Sequence, residues 1–272
     1  MSLPDPTPAT AALVTGASAG IGAAIAVRLA MRGHNLVLVA RRRDRLRVLA
    51  RELATEHGVR AEALGCDLSR PAALSRLPAR VRALGLDVSV LVNNAGFATG
   101  GAFHESDPAR ELDQVRVLVE AVVSLSCAFV PGMVGRGSGA VLNLASTAGM
   151  QPMPYSAGYA AAKAYVLSFS QALHEELAPA GVTVTALAPG PVATEFWDNA
   201  GWQLSGGQSF ESAVPRLAWV TADEAARAGV DGVRDGRRVV VPGVPVRAAM
   251  LAAHYLPNAI KLPAMEWAMR HR

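Results

Sequence analysis

Seven short aliphatic runs, residues 11–15, 35–40, 61–66, 88–93, 140–145, 182–188 and 238–241, are spaced along the chain by longer stretches of helical periodicity. Most of these runs are apolar at every position, whereas a strand with one wet face would alternate apolar and polar residues. Strands of this kind need cover on both faces. The patterns at 21–32, 43–57, 71–84, 108–134, 157–177 and 222–230 supply the helices that provide it. Strand, helix, strand repeated in this way predicts an α/β fold, one doubly wound parallel sheet of about seven strands with helices on both faces.

The 272 residues suit a single domain over residues 11–241, with a loose Pro-rich tail at 1–10 and an extension at 242–272. Pro245, Pro257 and Pro263 exclude one continuous helix from the extension. Segment 193–215, rich in Gly, Ser, Trp and Phe, is long for a connection inside a domain and reads as a substrate lid. With 51% hydrophobic and 18% charged residues the chain is not disordered. Its 26 Lys and Arg exceed its 22 Asp and Glu by only four, which gives no reason to expect a nucleic-acid partner. Cys66 and Cys127 match no metal-ligand spacing, so neither a metal site nor a disulfide framework is expected. The start of the chain lacks the basic and apolar runs of a secretory leader. The longest stretch free of Asp, Glu, Lys and Arg, residues 138–162, is broken by Gly, Pro, Ser and Asn. A soluble, cytoplasmic protein is the expectation. In the extension, Leu251, Tyr255, Leu256, Ile260, Leu262 and Trp267 among Arg247, Lys261 and Arg270 could lie on a lipid surface, but a subunit contact or a pocket cover is the plainer reading.

After the first strand comes Thr15-Gly16-Ala17-Ser18-Ala19-Gly20-Ile21-Gly22, running directly into a helix. Glycines let the backbone approach a ligand, and the free amides of a helix start favour an anion, which suits a pyrophosphate. The second strand is followed by Arg41-Arg42-Arg43, where an acidic residue would bind a ribose 2′-hydroxyl. Arginines there point instead to an extra phosphate, hence NADP(H) in preference to NAD(H). A solvated basic helix face continuing through Arg45, Arg47 and Arg51 is the bland alternative.

Three further signals fall where strands give way to helices: Asn93-Asn94-Ala95-Gly96, Ser146, and Tyr159 with Lys163 four residues on. A Tyr and a Lys at this spacing share one helical face. An ammonium near a phenol stabilises phenolate and is expected to lower the Tyr pKa toward the working pH of a general acid or base.

Taken together and in this order, these motifs resemble the classical short-chain dehydrogenase/reductase family, whose fold is of the Rossmann type. The glycine turn, the Asn-Asn-Ala-Gly motif and the set Ser146, Tyr159 and Lys163 carry the likeness. Cys66-Asp67-Leu68 and Pro189-Gly190-Pro191-Val192-Ala193-Thr194 extend it. The resemblance implies hydride transfer between a nicotinamide and a carbonyl or alcohol. Tyr159 would pass the proton, Ser146 would hold the substrate oxygen, and Lys163 would bind the nicotinamide ribose. It further implies cofactor contacts from Gly16, Ser18, Ala19, Gly20, Ile21 and Gly22 in the turn. Arg41 and Arg42 would face the phosphate, Asp67 and Leu68 the adenine, and Asn94, Ala95 and Gly96 would line the cofactor. Pro189, Gly190, Val192 and Thr194 belong to a segment that would close over the cofactor, Thr194 and the Val192 backbone reaching the carboxamide. Phe97, Met150, Met153, Tyr155, Phe196, Trp197 and Trp202 are the expected substrate-pocket wall. A homodimer or homotetramer built on helices 108–134 and 157–177 is the implied assembly.

The chain departs from the family pattern at two places. Leu118 stands where the family commonly has an Asn that holds a relay water, and Ala19 stands where many NADP-preferring members carry a basic residue. The first departure keeps a second reading open, a catalytically weak nucleotide-binding regulatory or scaffold protein of the same fold.

Overall fold

A computed structural model describes residues 3–196 and 216–270. Its strands are β1 (Thr10–Thr15), β2 (Asn35–Ala40), β3 (Ala61–Gly65), β4 (Asp87–Asn93), β5 (Gly139–Leu144), β6 (Val182–Leu187) and β7 (Val239–Val240). They form one sheet in the order β3-β2-β1-β4-β5-β6-β7. Every neighbouring pair is parallel, with Leu13, for example, between Val37 of β2 and Leu91 of β4. The last strand is only two residues long, shorter than residues 238–241 suggested.

Helices α1 (Gly20–Ala30), α2 (Arg43–His57), α3 (Pro71–Arg82), α6 (Ala157–Leu177) and α7 (Ala222–Arg234) connect the strands. Residues 108–134, read as one regular helix, comprise α4 (Pro108–Val115), a π-helical turn (Arg116–Glu120) and α5 (Ala121–Gly135). The turn slips the backbone hydrogen-bond register, which leaves no side-chain signature in a sequence and often marks a functional position. The helical stretch Pro108–Gly135 is long and apolar enough to cross a membrane. In this fold its inner face packs against β4 and α3. The extension folds as two helices, α8 (Val244–Tyr255) and α9 (Asn258–Arg270), parted at Pro257. Pro245 lies in the first turn of α8, where a missing N–H costs nothing, but Pro263 is carried inside α9 rather than ending it.

Alternate strand residues serve opposite cores. Ala12 and Val14 of β1 join Ile25, Leu29 and Leu46 on one face of the sheet, while Ala11 and Leu13 join Leu77, Leu125 and Phe129 on the other. Burying a Leu fully contributes about 1.5–3 kcal/mol relative to leaving it in water. Two such cores explain why the strands are apolar at every position.

The sheet order reverses between β1 and β4, so their carboxyl ends part and open a crevice. Thr15 ties its two lips together. Its hydroxyl donates to the Val92 carbonyl at 3.1 Å and accepts from the backbone N–H groups of Asn94 and Ala95 at 2.9 and 3.0 Å.

Candidate active site

The crevice holds a cavity of about 920 Å³. Gly16, Ser18, Ala19, Gly20 and Ile21 of the glycine turn line one end of it. Gly16 has φ +67°, and a Cβ there would come within 2.7 Å of the Asn94 amide and 2.8 Å of the Ala95 Cα. The turn can therefore be this tight only without a side chain. Gly22 does not face the cavity. It lets α1 pack on the turn, since a Cβ would meet the Asn94 amide. Ala19 precedes α1 without a side-chain cap, which leaves the first amides of the helix available to an anion.

Arg41 and Arg42 stand at the rim beside Ser18. Arg41 is exposed and has no partner among the described residues. Arg42 is engaged. It donates through Nε and Nη2 to the Ser18 hydroxyl at 3.2 and 3.1 Å, and through Nη1 to Glu195 Oε2 at 2.6 Å. Arg45 donates to the other oxygen of Glu195 at 2.8 Å. These bonds hold the Glu195 carboxyl well below the usual range, at about 2, with the Arg42 bond the largest cause and the Arg45 bond next. Glu195 was not among the residues picked out from sequence; the only sequence signal is a lone acid directly after the Pro189–Thr194 motif.

Further along the wall, the Asp67 carboxylate accepts from the Ser69 N–H and hydroxyl at 3.0 and 2.9 Å and is thereby oriented. Leu68, Asn94, Ala95 and Gly96 line the cavity, as do Pro189, Gly190, Val192 and Thr194 on the opposite side. Thr194 lies over the glycine turn, its methyl 3.1 Å from where a Cβ on Gly20 would be. A long cavity with a glycine cradle, an uncapped helix start and guanidinium groups at one end fits a dinucleotide.

Ser146, Tyr159 and Lys163 converge on the other end of the same cavity. Ser146 follows β5 and caps a short 3₁₀ turn, its hydroxyl accepting from the Ala148 N–H at 3.1 Å. Tyr159 lies in the first turn of α6, buried against Ala98, Leu118 and Ala162, with the Phe196 ring 5.8 Å from its own. Lys163 sits one turn further on, and its Nζ donates to the Leu144 carbonyl at 2.6 Å.

The electrostatics differ from what the Tyr and Lys spacing suggested. Burial pushes the Tyr159 phenol up to about 12, against a smaller lowering by its hydrogen bond with Ser146. Burial likewise drives the Lys163 ammonium down to about 7. Both shifts disfavour the charged form, as removal from water does. The ammonium nitrogen is 5.8 Å from the centre of the Tyr159 ring, and burial is the largest cause of the shift at both groups.

Leu118 lies in the π-helical turn and is only 1% exposed. A Cβ on Gly96 would fall 2.8 Å from its Cδ2 and 3.9 Å from Lys163 Nζ, so an apolar group stands beside the lysine.

Of the expected substrate wall, Phe97, Met153 and Phe196 line the cavity, together with Met250 of α8, which sequence reasoning missed. Met150 and Tyr155 do not line it. Met150 packs against the buried cluster of Val122, Ala145 and Val166. Tyr155, the one non-glycine residue with positive φ (61°) among the described residues, directs its hydroxyl to Glu266 of α9 at 3.3 Å. Trp197 and Trp202 lie outside the described residues.

Known proteins resemble this chain in sequence and in fold. The short chain dehydrogenase family model matches residues 10–204. A protein of Streptomyces coelicolor named "Putative ketoacyl reductase" is 38% identical over 215 residues, 76% of this chain and 82% of that protein. The very-long-chain 3-oxoacyl-CoA reductase of Bos taurus is 35% identical over 189 residues, 68% of this chain and 60% of the relative's length. Among solved structures, a short-chain dehydrogenase from Sphingobium yanoikuyae in complex with NADPH is similar with a TM-score of 0.79. It is 36% identical, over 94% of this chain and 95% of that one. The chain belongs to the short-chain dehydrogenase/reductase family of oxidoreductases.

Proposed function

We propose that the protein is an NADP(H)-dependent oxidoreductase acting on an apolar or lipid-like carbonyl or alcohol, with Tyr159 as its general acid and base. The observation that carries this reading is the convergence of Ser146, Tyr159 and Lys163 on one wall of the cavity that also holds the glycine turn. Arg41 at the rim and the NADPH held by the Sphingobium relative support the phosphorylated cofactor. Phe97, Met153 and Phe196 favour an apolar substrate, and the acyl substrates in the names of the Streptomyces and Bos relatives agree with that.

The nicotinamide, when bound, supplies or accepts the hydride. Ser146 donates a hydrogen bond to the substrate oxygen and fixes it beside Tyr159. The Tyr159 phenol, protonated throughout the neutral range, gives its proton to the oxygen as negative charge develops there. Lys163, with a value of about 7, carries positive charge at and below neutrality and stabilises the phenolate left behind. Run in reverse, the same groups take the proton from an alcohol.

Self-association is the companion proposal. Leu112 and Val115 of α4 and Tyr165 of α6 are exposed apolar groups on the two helices expected to pair. Leu118 beside Lys163 is the one observation favouring the second reading, a weak or non-catalytic nucleotide binder. Oxidation of NADPH in the presence of a panel of ketones and 3-oxoacyl thioesters tests the proposal. Carbonyl-dependent oxidation supports it, and nucleotide binding without turnover on any member of the panel favours the second reading.

A further inference from the structure

We propose that Glu195 sets how selectively this chain holds a 2′-phosphorylated dinucleotide, because its carboxylate occupies the guanidinium donors that the ribose 2′-phosphate needs. The inference rests on the NADP(H) reading above and names the residue that opposes it. Arg42 and Arg45 each give one N–H to a different oxygen of Glu195, at 2.6 and 2.8 Å. The remaining donors of Arg42 that have a partner go to Ser18, inside the glycine turn. Ser18, Arg42 and Glu195 all line the cavity at the end where Arg41 stands, so the carboxylate lies in the nucleotide site.

Two guanidinium groups holding two oxygens of one anion make a seat that a phosphate monoester also satisfies. The phosphate brings close to two negative charges and three acceptor oxygens against one charge and two oxygens for the carboxylate, so it wins the exchange. Glu195 is 47% exposed at its side chain and can return to water when displaced. It cannot go far. Thr194, its neighbour, is packed over Gly20, so the displaced carboxylate stays near the bound phosphate and repels it. A dinucleotide with a free 2′-hydroxyl brings no charge to the seat and leaves the Glu195 to Arg42 pair in place. The penalty therefore falls on the phosphorylated cofactor alone.

Binding of NADPH, NADH, 2′,5′-ADP and 5′-AMP to the full chain, measured by calorimetry for wild type, Glu195→Gln, Glu195→Ala and Arg42→Ala, tests this without any substrate. Both Glu195 variants are expected to tighten NADPH and 2′,5′-ADP about tenfold and to change NADH and 5′-AMP less than twofold. Thermal unfolding of each variant checks that it is folded. If Arg42→Ala selectively weakens NADPH but the Glu195 variants bind it no more tightly, the inference fails and the cofactor reading stands. Equal tightening of NADPH and NADH, or weakened NADH, also overturns it, the last making Glu195 a 2′-hydroxyl acceptor. If wild type holds NADPH no better than NADH and Arg42→Ala affects both alike, the cofactor reading itself fails.

Discussion

Lys163 is tied by its ammonium to the Leu144 carbonyl at 2.6 Å, so the last residue of β5 fixes the reach of a side chain on α6. That bond spans the gap between the strand that delivers Ser146 and the helix that delivers Tyr159. Burial there takes the lysine out of water, with Leu118 and the ammonium both against Gly96.

One consequence is a pH-dependent stability. Between about 7 and the ordinary 10.5 the unfolded chain holds the Lys163 proton and the folded chain does not, so stability rises with pH across that window. Tyr159 acts in the opposite sense higher up, keeping its proton in the folded state to about 12, so stability falls from pH 10 to 12. Urea unfolding of the ligand-free protein at pH 6 and pH 10 should show a gain of a few kcal/mol that Lys163→Met abolishes. Parallel changes in the two proteins would remove the burial of Lys163 as its cause.

Gly149 offers a test of positioning without touching a reacting group. It sits in the 3₁₀ turn after Ser146, and a Cβ there would fall 2.5 Å from the backbone carbon of Lys163. Gly149→Ala must push that turn away from α6 and with it Ser146 from Tyr159. A shift of this size is expected to lower kcat about a hundredfold. NADPH affinity, measured by fluorescence titration, should move much less.

Leu118 bears on the proton path. Replacing it with Asn puts an amide beside Lys163 in a nearly closed space, at a cost of about 1–3 kcal/mol in unfolding free energy. If proton supply limits turnover in the wild type, Leu118→Asn raises kcat severalfold and reduces the solvent deuterium isotope effect. An unchanged isotope effect with a lower kcat would show that the chain delivers its proton by a route that does not pass residue 118.

Arg41 is exposed at the rim and unpaired among the described residues. Arg41→Ala is expected to raise the Michaelis constant for NADPH at least tenfold and that for NADH less than twofold. Equal effects would place the selectivity elsewhere.

The strands were legible because burial on both faces demands an apolar residue at every step, as Leu36 to Val39 illustrate. Helix α2 was legible to its ends because Gly58 takes the left-handed conformation that stops it. The π-helical turn was not, since it is a slip in backbone hydrogen bonding beneath an unremarkable Arg-Val-Leu-Val-Glu. Nor was the Glu195 pair with Arg42, which joins residues 153 apart by an ion pair that local pattern does not encode. Met150 and Tyr155 misled because residues close to Ser146 in sequence leave the 3₁₀ turn in directions that only the packing of α6 and α9 determines.

The role proposed for Tyr159 is to pass the proton in a carbonyl reduction. It is tested most directly by single-turnover oxidation of NADPH with a ketone that the wild type accepts, compared with Tyr159→Phe under saturating nucleotide. A rate at least a hundredfold lower is expected in the variant, as loss of a general acid gives, with NADPH still bound by both. Equal rates in the two proteins would contradict it.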